Sequence, residues 1–530
     1  MKRWMVPAGA ALLFLAAAVL LWPGRRSAPE PEGSGTAGEE PLSVCLVGGA
    51  GAGVYDPSLL EEAAGAGAYV CCLDQGEPAD LTEAVCRALE EGGAGQIVLS
   101  LSLDCAGTWQ GEGRERYEET GAFLPGDADA AHIGDLAAYE EKTAFSDPEP
   151  VQLTEIGQLA EAVGEIRSLC QSAGAELTVL MEPVGPHRAS AYQRAEVREL
   201  YETLAEQVDF WDFSADAPCG DSRFFYPDSS IRPALAEMML RRALGLGGYV
   251  PKDFGVLVTA ENAGDRADRF GTGGLGEGQQ VTVLMYHHLS QEGGSEVNLP
   301  VSLFEEQLRA LRDAGCIAVT LEDLYAYVEQ GTPLPEKAVL ITFDDGYESN
   351  YDLAWPLLEK YGMKGTIFAI GVSVGKDTYK GTSCPMKAHF TYEQAREMMD
   401  SGVISVQTHT YDMHQWPPYE EGPAREGAVP LEGESQADYE AAVRADLKRA
   451  REEMETATGY PVTALSYPNG LYTPASQRIC LELGFRATFT IEPRTNTVVK
   501  GLPQSLYGMG RYNVGPMTGQ ELLALTGLDG

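Results

Sequence analysis

Between residues 281 and 491 short apolar runs alternate with helical segments, and this repeat constrains the fold more than any other feature of the chain. Runs at 281–286, 317–319, 338–343, 365–370, 403–407, 462–467 and 486–491 have the length and apolar content of buried strands. Helix signals lie between them. Ser302-Leu303-Phe304-Glu305 reads as a capping box opening a helix that stops at Gly315, and Thr320 caps the next. The helix after the third run ends near Gly362. Thr473-Pro474 opens the last clear helix, which ends at Gly484. Repeated strand-then-helix units favour a parallel sheet, and this many in one domain favour a barrel with its functional groups at the C-terminal strand ends.

Two hexads stand at such ends. Thr342-Phe343-Asp344-Asp345-Gly346-Tyr347 closes one apolar run, and His409-Thr410-Tyr411-Asp412-Met413-His414 closes another. Together they offer one carboxylate and two imidazoles to a divalent metal, with a second carboxylate left over as a base. Three protein ligands leave a coordination position open, the arrangement of hydrolytic metal sites. Adjacent aspartates on a strand point apart, which suits two different roles. The plainer reading is a turn at Asp-Asp-Gly with packing or capping histidines. Against it, the chain has only seven histidines and two fall within one hexad.

Both hexads, their order and their strand contexts resemble the polysaccharide deacetylase family (carbohydrate esterase family 4), over about residues 280 to 515. The resemblance implies a distorted (β/α) barrel that removes acetyl groups from glycans using a bound metal. It implies Asp344 as general base and Asp345, His409 and His414 as ligands to one divalent ion, zinc by preference, with cobalt or nickel acceptable to the same donors. The histidines are five apart, which resembles the branch acting on poly-N-acetylglucosamine. In the family a Pro-aromatic turn donates a backbone N–H to the oxyanion. The Tyr467-Pro468-Asn469-Gly470 turn holds that place, with Asn469 as donor and Tyr467 beside the substrate. Two departures stand out. Ala464 occupies the position of the usual Arg, and no histidine follows His414 to act as the late general acid. His287, ending the first run, is the candidate replacement. Loops at 374–390 and 415–434 are expected to frame a glycan groove, with Trp416, Tyr419 and Tyr379 available to stack on sugars. The implied substrate is an N-acetylated polysaccharide of poly-N-acetylglucosamine or peptidoglycan type. A catalytically silent glycan-binding protein and an O-acetyl esterase remain as alternatives.

The chain has 530 residues, 44% of them hydrophobic, enough for two or three domains with cores of their own. A net charge of -41 argues against nucleic-acid binding, which needs basic patches. Lys2 and Arg3 precede an apolar stretch from Trp4 to Trp22 long enough to span a bilayer. A single uncleaved transmembrane signal anchor over 1–26 is expected, with the catalytic part outside the cell membrane and a secreted form if the segment is cleaved. Residues 27–41 then read as a Pro-, Gly- and Glu-rich linker. Of the ten cysteines, most sit in apolar runs as small core residues, while Cys105, Cys219 and Cys384 are candidates for pairing.

Residues 42–262 read as a second unit, a three-layer α/β/α domain. Phe210-Trp211-Asp212-Phe213-Ser214 and the block from Arg223 to Pro233 resemble the closing blocks of the SGNH hydrolase family. Such enzymes need a Ser nucleophile and an activating His. Here residues 48–53 hold no Ser and Ile231 stands where the His belongs, so this domain is expected to be inactive, a scaffold or a glycan-binding partner. Residues 107–148 are expected as an inserted polar loop or a disordered segment, 263–280 as a linker, and 281–530 as the catalytic domain.

Overall fold

The computed structural model describes residues 43–529 apart from 65–66, 74–77, 91–92, 107–132, 144, 146–147, 228 and 293. The anchor and the linker expected over 1–41 lie outside the described residues, as does most of the polar insertion after residue 107. Among the described residues no helix is long and apolar enough to cross a membrane.

The first half is built on six strands, β1 (Ser43–Gly48), β2 (Ala68–Cys72), β3 (Ala94–Leu101), β4 (Glu176–Met181), β5 (Phe210–Asp212) and β6 (Val256–Val258), in the order β2-β1-β3-β4-β5-β6. Neighbours are parallel except β5 and β6. Side chains alternate between two apolar clusters along β1. Cys45 and Val47 join one with the helices Pro78–Glu90 and Ile156–Ala173, while Val44 and Leu46 join another with Pro233–Leu244. A parallel sheet covered by helices on both faces requires this alternation between two buried sides.

The second half is a curled, mainly parallel sheet. β7 (Gly278–Tyr286) is followed by a short separate pair, β8 (His288–Ser290) and β9 (Asn298–Pro300). Then come β10 (Ile317–Ala318), β11 (Ala338–Asp345), β12 (Gly365–Ala369), β13 (Ile404–Thr408), β14 (Ala464–Ser466), β15 (Ala487–Phe489), β16 (Asn496–Val499) and β17 (Tyr512–Asn513). The order is β15-β14-β13-β12-β11-β7-β16, with β10 on β11 and β17 on β7, and β16 alone is antiparallel to its neighbour. β11 is buried along its whole length, which is why it reads as an unbroken apolar run before the aspartates. Ala338 and Leu340 enter one cluster, Val339, Ile341 and Phe343 the other. Thr342, polar in this setting, donates its hydroxyl to the Leu284 carbonyl at 2.8 Å. Residues 508–513 run between the edges of the curl. Met509 exchanges backbone hydrogen bonds of 2.8 Å with Thr488 and Thr490, and Tyr512 pairs with Leu284.

Four sequence expectations are corrected. Ser302 caps nothing: β9 runs straight into the helix Val301–Asp313, so Pro300 takes the N-cap position and Ser302 lies inside the first turn. Residues 263–280 are no linker. The helix Ala263–Ala267 packs into the first half, where buried Arg266 pairs with Asp212 and Asp216, and β7 begins at Gly278. A glycine in this stretch serves close approach, since a Cβ on Gly273 would stand 2.6 Å from the Gly220 nitrogen. Cys105, Cys219 and Cys384 are all free thiols. Finally, Pro474–Glu482 is not the last helix, because Gly519–Thr526 follows with its own capping box at Thr518.

Candidate metal centre

The two hexads meet at the C-terminal ends of β11 and β13. Ligand atoms of Asp345, His409 and His414 all lie within 4.8 Å of one another. The Nε2 atoms of both histidines stand 3.7 Å from Asp345 Oδ1, and the two rings are 5.2 Å apart at 78°. Donors bound at about 2.1 Å to a tetrahedral ion are separated by about 3.4 Å, so little adjustment is needed to share one cation. Asp345 Oδ1 is a buried oxygen with no hydrogen-bond partner among the described residues. A buried lone carboxylate oxygen is costly unless something pairs with it, and a cation there would do so. The donor set therefore fits a divalent metal.

The backbone departs from ordinary strand geometry at two non-glycine residues to make this cluster. Asp345 has φ of 74° and Thr410 φ of 72°, conformations that cost about 1–3 kcal/mol each. At Asp345 the left-handed turn breaks the strand alternation. Adjacent aspartates expected to point apart instead both approach His409 Nε2, Asp345 at 3.7 Å and Asp344 at 3.9 Å. At Thr410 the turn folds the chain back so that His414 returns beside His409. That turn is held by Asp446, on the helix Gln436–Thr458, whose oxygens accept from the backbone N–H groups of Tyr411 and Asp412 at 2.8 and 2.7 Å.

The charge states suit ligation. His409 Nδ1 lies 2.7 Å from the Ser466 carbonyl, which can only accept, so the ring proton sits on Nδ1 and the Nε2 lone pair faces Asp345. Burial lowers the His409 pKa to about 4, keeping the ring neutral. Burial alone would raise Asp345, but His287, His414 and His409 outweigh it and hold the carboxyl below its usual range.

Asp344 has a partner that sequence reasoning missed. Arg511, fully buried between the edges of the curl, donates Nη1 to Oδ1 and Nη2 to Oδ2, each at 2.7 Å. Its Nε reaches the Thr490 carbonyl at 2.9 Å and Nη2 also reaches Ser466 Oγ at 2.8 Å. Burial pushes the Asp344 pKa upward, yet the Arg511 guanidinium overcomes this and keeps the carboxyl well below the carboxylate range. The guanidinium that Ala464 cannot supply thus arrives from another strand end.

The remaining candidates divide. His287 sits at the end of β7 with its Nδ1 buried and unpartnered among the described residues, near enough to lower Asp345. Asn469 is exposed at the tip of the Pro468–Gly470 turn with φ of 52°, its side chain donating to the Glu426 carbonyl at 2.9 Å. Tyr467 does not meet the expectation of a substrate contact. Its ring is fully buried, stacked on Tyr472, and its hydroxyl donates to Gln477 at 2.9 Å, because the strand alternation turns it toward the helix Pro474–Glu482. Two further residues near the centre went unassigned: Tyr347, whose hydroxyl pKa is pushed up by burial and by the neighbouring Asp345, and buried His389, whose ring lies 5.0 Å from that of Tyr347. Tyr347 was visible in the first hexad. His389 lies in a loop that carries no periodic signal.

A family model described as polysaccharide deacetylase matches residues 331–488. YxkH of Bacillus subtilis (strain 168), provisionally named a polysaccharide deacetylase, is 32% identical over 237 residues, which is 45% of this chain and 72% of that protein. A poly-beta-1,6-N-acetyl-D-glucosamine N-deacetylase of Staphylococcus aureus (strain MRSA252) is 24% identical over 214 residues, covering 40% of this chain and 68% of its own length. Among solved structures, IcaB from Ammonifex degensii aligns with a TM-score of 0.38 and 25% identity over 48% of this chain and all of its own, 100%.

Proposed function

The chain belongs to the polysaccharide deacetylase family, and from that premise we propose that it hydrolyses N-acetyl groups on an extracellular or wall polysaccharide, of the poly-N-acetylglucosamine or peptidoglycan type. The observation that carries this reading is the convergence of Asp345, His409 and His414 within 4.8 Å, with an unpartnered buried oxygen at its centre. These three residues would hold one divalent cation, zinc by preference and cobalt or nickel as alternatives. Such an ion supplies Lewis acidity toward water and the acetyl carbonyl.

This chain's own groups do the rest. Asp344, ionised and locked by Arg511, accepts the proton from the attacking water. The Asn469 backbone N–H, in the Pro468–Gly470 turn, is the donor we assign to the developing oxyanion. His287, at the neighbouring end of β7 beside Asp345, is the group available to protonate the leaving amine. The Arg511 pair also removes one motive for reading the protein as a silent binder, since a guanidinium holds the base through two hydrogen bonds although Ala464 stands in the position of the usual Arg. The N-terminal half serves as a scaffold, and the apolar stretch from Trp4 to Trp22 anchors the chain with its catalytic half outside the membrane.

Acetate release from a β-1,6-linked N-acetylglucosamine pentamer tests the reading, with and without chelator. Asp345→Asn is expected to lose both metal and turnover. Asp344→Asn is expected to keep the metal and lose turnover by at least 10²-fold, the usual scale for removing a positioned base. Full activity in either variant, or release that survives complete metal removal, contradicts these roles.

A further inference from the structure

Arg511 reaches Asp344 from a stretch with little regular structure of its own, since residues 508–511 only lead into the short strand β17. The pair consists of two 2.7 Å bonds made by one planar fork, and such a pair tolerates little rotation or drift of the guanidinium. The backbone just before Arg511 must therefore be fixed.

Asn496, the first residue of β16, is bonded to the residue next to Arg511. Its Oδ1 accepts the Gly510 N–H at 2.8 Å and its Nδ2 donates to the Gly510 carbonyl at 2.9 Å. One side-chain amide thus serves both polar groups of residue 510, as a neighbouring strand would. Nδ2 also reaches the carbonyl of Val281, the β7 residue paired with Asn496, at 3.5 Å. Asn496 and Gly510 are both buried, where such bonds are strong and their loss is costly. Only glycine fits opposite the amide, because a Cβ at 510 would stand 2.3 Å from Arg494 Cγ and 2.4 Å from the Glu492 carbonyl oxygen.

The other ties of this stretch come from the opposite edge of the curl. The Gly508 N–H donates to Thr488 Oγ1, on β15, at 2.7 Å, and the Gly508 carbonyl accepts from Arg494 Nη2 at 2.6 Å. The Arg511 N–H donates to the Glu492 carbonyl at 2.9 Å. Those bonds hold the stretch to β15 and to the chain that follows it, whereas Asn496 holds it to β16. β16 has a firm footing: it pairs with β7, which pairs with the Asp344 strand β11, and its last residue, Val499, is buried in an apolar cluster of the first half.

We propose that Asn496 is a positioning residue of the centre: by holding the Gly510 peptide to β16 it sets the place from which Arg511 meets Asp344. Its catalytic consequence rests on the polysaccharide deacetylase reading, which it deepens by tracing the support of the base to the seam between the two halves.

The test is Asn496→Ala in the full, zinc-loaded chain, with folding checked by circular dichroism. For acetate release from the β-1,6-linked N-acetylglucosamine pentamer, kcat is expected to fall about 10- to 100-fold, the scale for displacing a catalytic group by about 1 Å. KM and zinc affinity are expected to stay as in wild type. A packing role alone would lower the folded fraction and leave kcat per zinc-bound site unchanged. The crystal structure of the variant is expected to show at least one of the two Arg511–Asp344 bonds broken. A wild-type kcat overturns the inference, and so does a pair that keeps both bonds. If the alanine variant does not fold, Asn496→Asp, which keeps the shape and the acceptor for the Gly510 N–H, takes its place with the same two readouts. Absence of acetate release by wild type would sink the deacetylase reading, while the crystal comparison still decides the role of Asn496.

Discussion

Asp344 and Arg511 form a buried pair in which each partner is costly alone. Removing one side of such a pair leaves an uncompensated charge, worth about 3–5 kcal/mol. Arg511→Met is expected to lose stability on that scale in urea unfolding. With the guanidinium gone, burial dominates and the Asp344 pKa rises, so the carboxyl is protonated, and unable to accept a proton, over more of the acidic range. Acetate release in that variant should therefore fail from the acid side first, its acidic limb lying at higher pH than in wild type. The two hexads were legible because strand ends with clustered acids and imidazoles are rare in sequence. Arg511 was not, because Gly508-Met509-Gly510-Arg511 reads as a polar surface turn. Only the curl of the sheet carries that stretch into the interior, and no local pattern encodes it.

The elements that build the site are of two kinds. Strands such as β11 and β13 are long, apolar and bounded by turn residues, so their existence and their ends were readable. β16 and β17 are short and take their pairing from β7, to which β17 contributes only Tyr512 and Asn513. The helix Gln436–Thr458 was silent as a functional element, yet its Asp446 fixes the turn that brings His414 back. Burial raises the Asp446 pKa to about 6. Asp446→Ala leaves the Tyr411 and Asp412 N–H groups without their acceptor and frees the turn. Metal affinity is expected to fall about 10- to 100-fold, the cost of losing a group that orients ligands, and excess metal should restore much of the turnover. Competition with a metallochromic chelator measures it. An affinity equal to wild type would mean that the turn is set by Thr410 and its neighbours alone.

On the scale of the whole molecule the two halves share a core. Val499 and Leu502, which belong to the second half by sequence, are fully buried in the cluster beneath the Pro233–Leu244 helix of the first half. The Tyr249 N–H donates to the Glu329 carbonyl across the same boundary at 3.0 Å. Length and composition allowed two or three domains, with 263–280 expected as a linker; they could not show that the joint is packed, because burial at a boundary depends on partners distant in the chain. Leu502→Ala is expected to cost about 2–5 kcal/mol. Calorimetry should show both halves still melting in a single transition at lower Tm. Two separate transitions in wild type would mean that the halves unfold independently.

The most direct test of the metal centre is anomalous diffraction from crystals of the zinc-loaded full chain. The expected result is one peak per chain, about 2.0–2.2 Å from a carboxylate oxygen of Asp345 and from nitrogens of His409 and His414, and beyond bonding distance of Asp344. A peak elsewhere, or one lacking any of these three ligands, would contradict the proposed chemistry at its root.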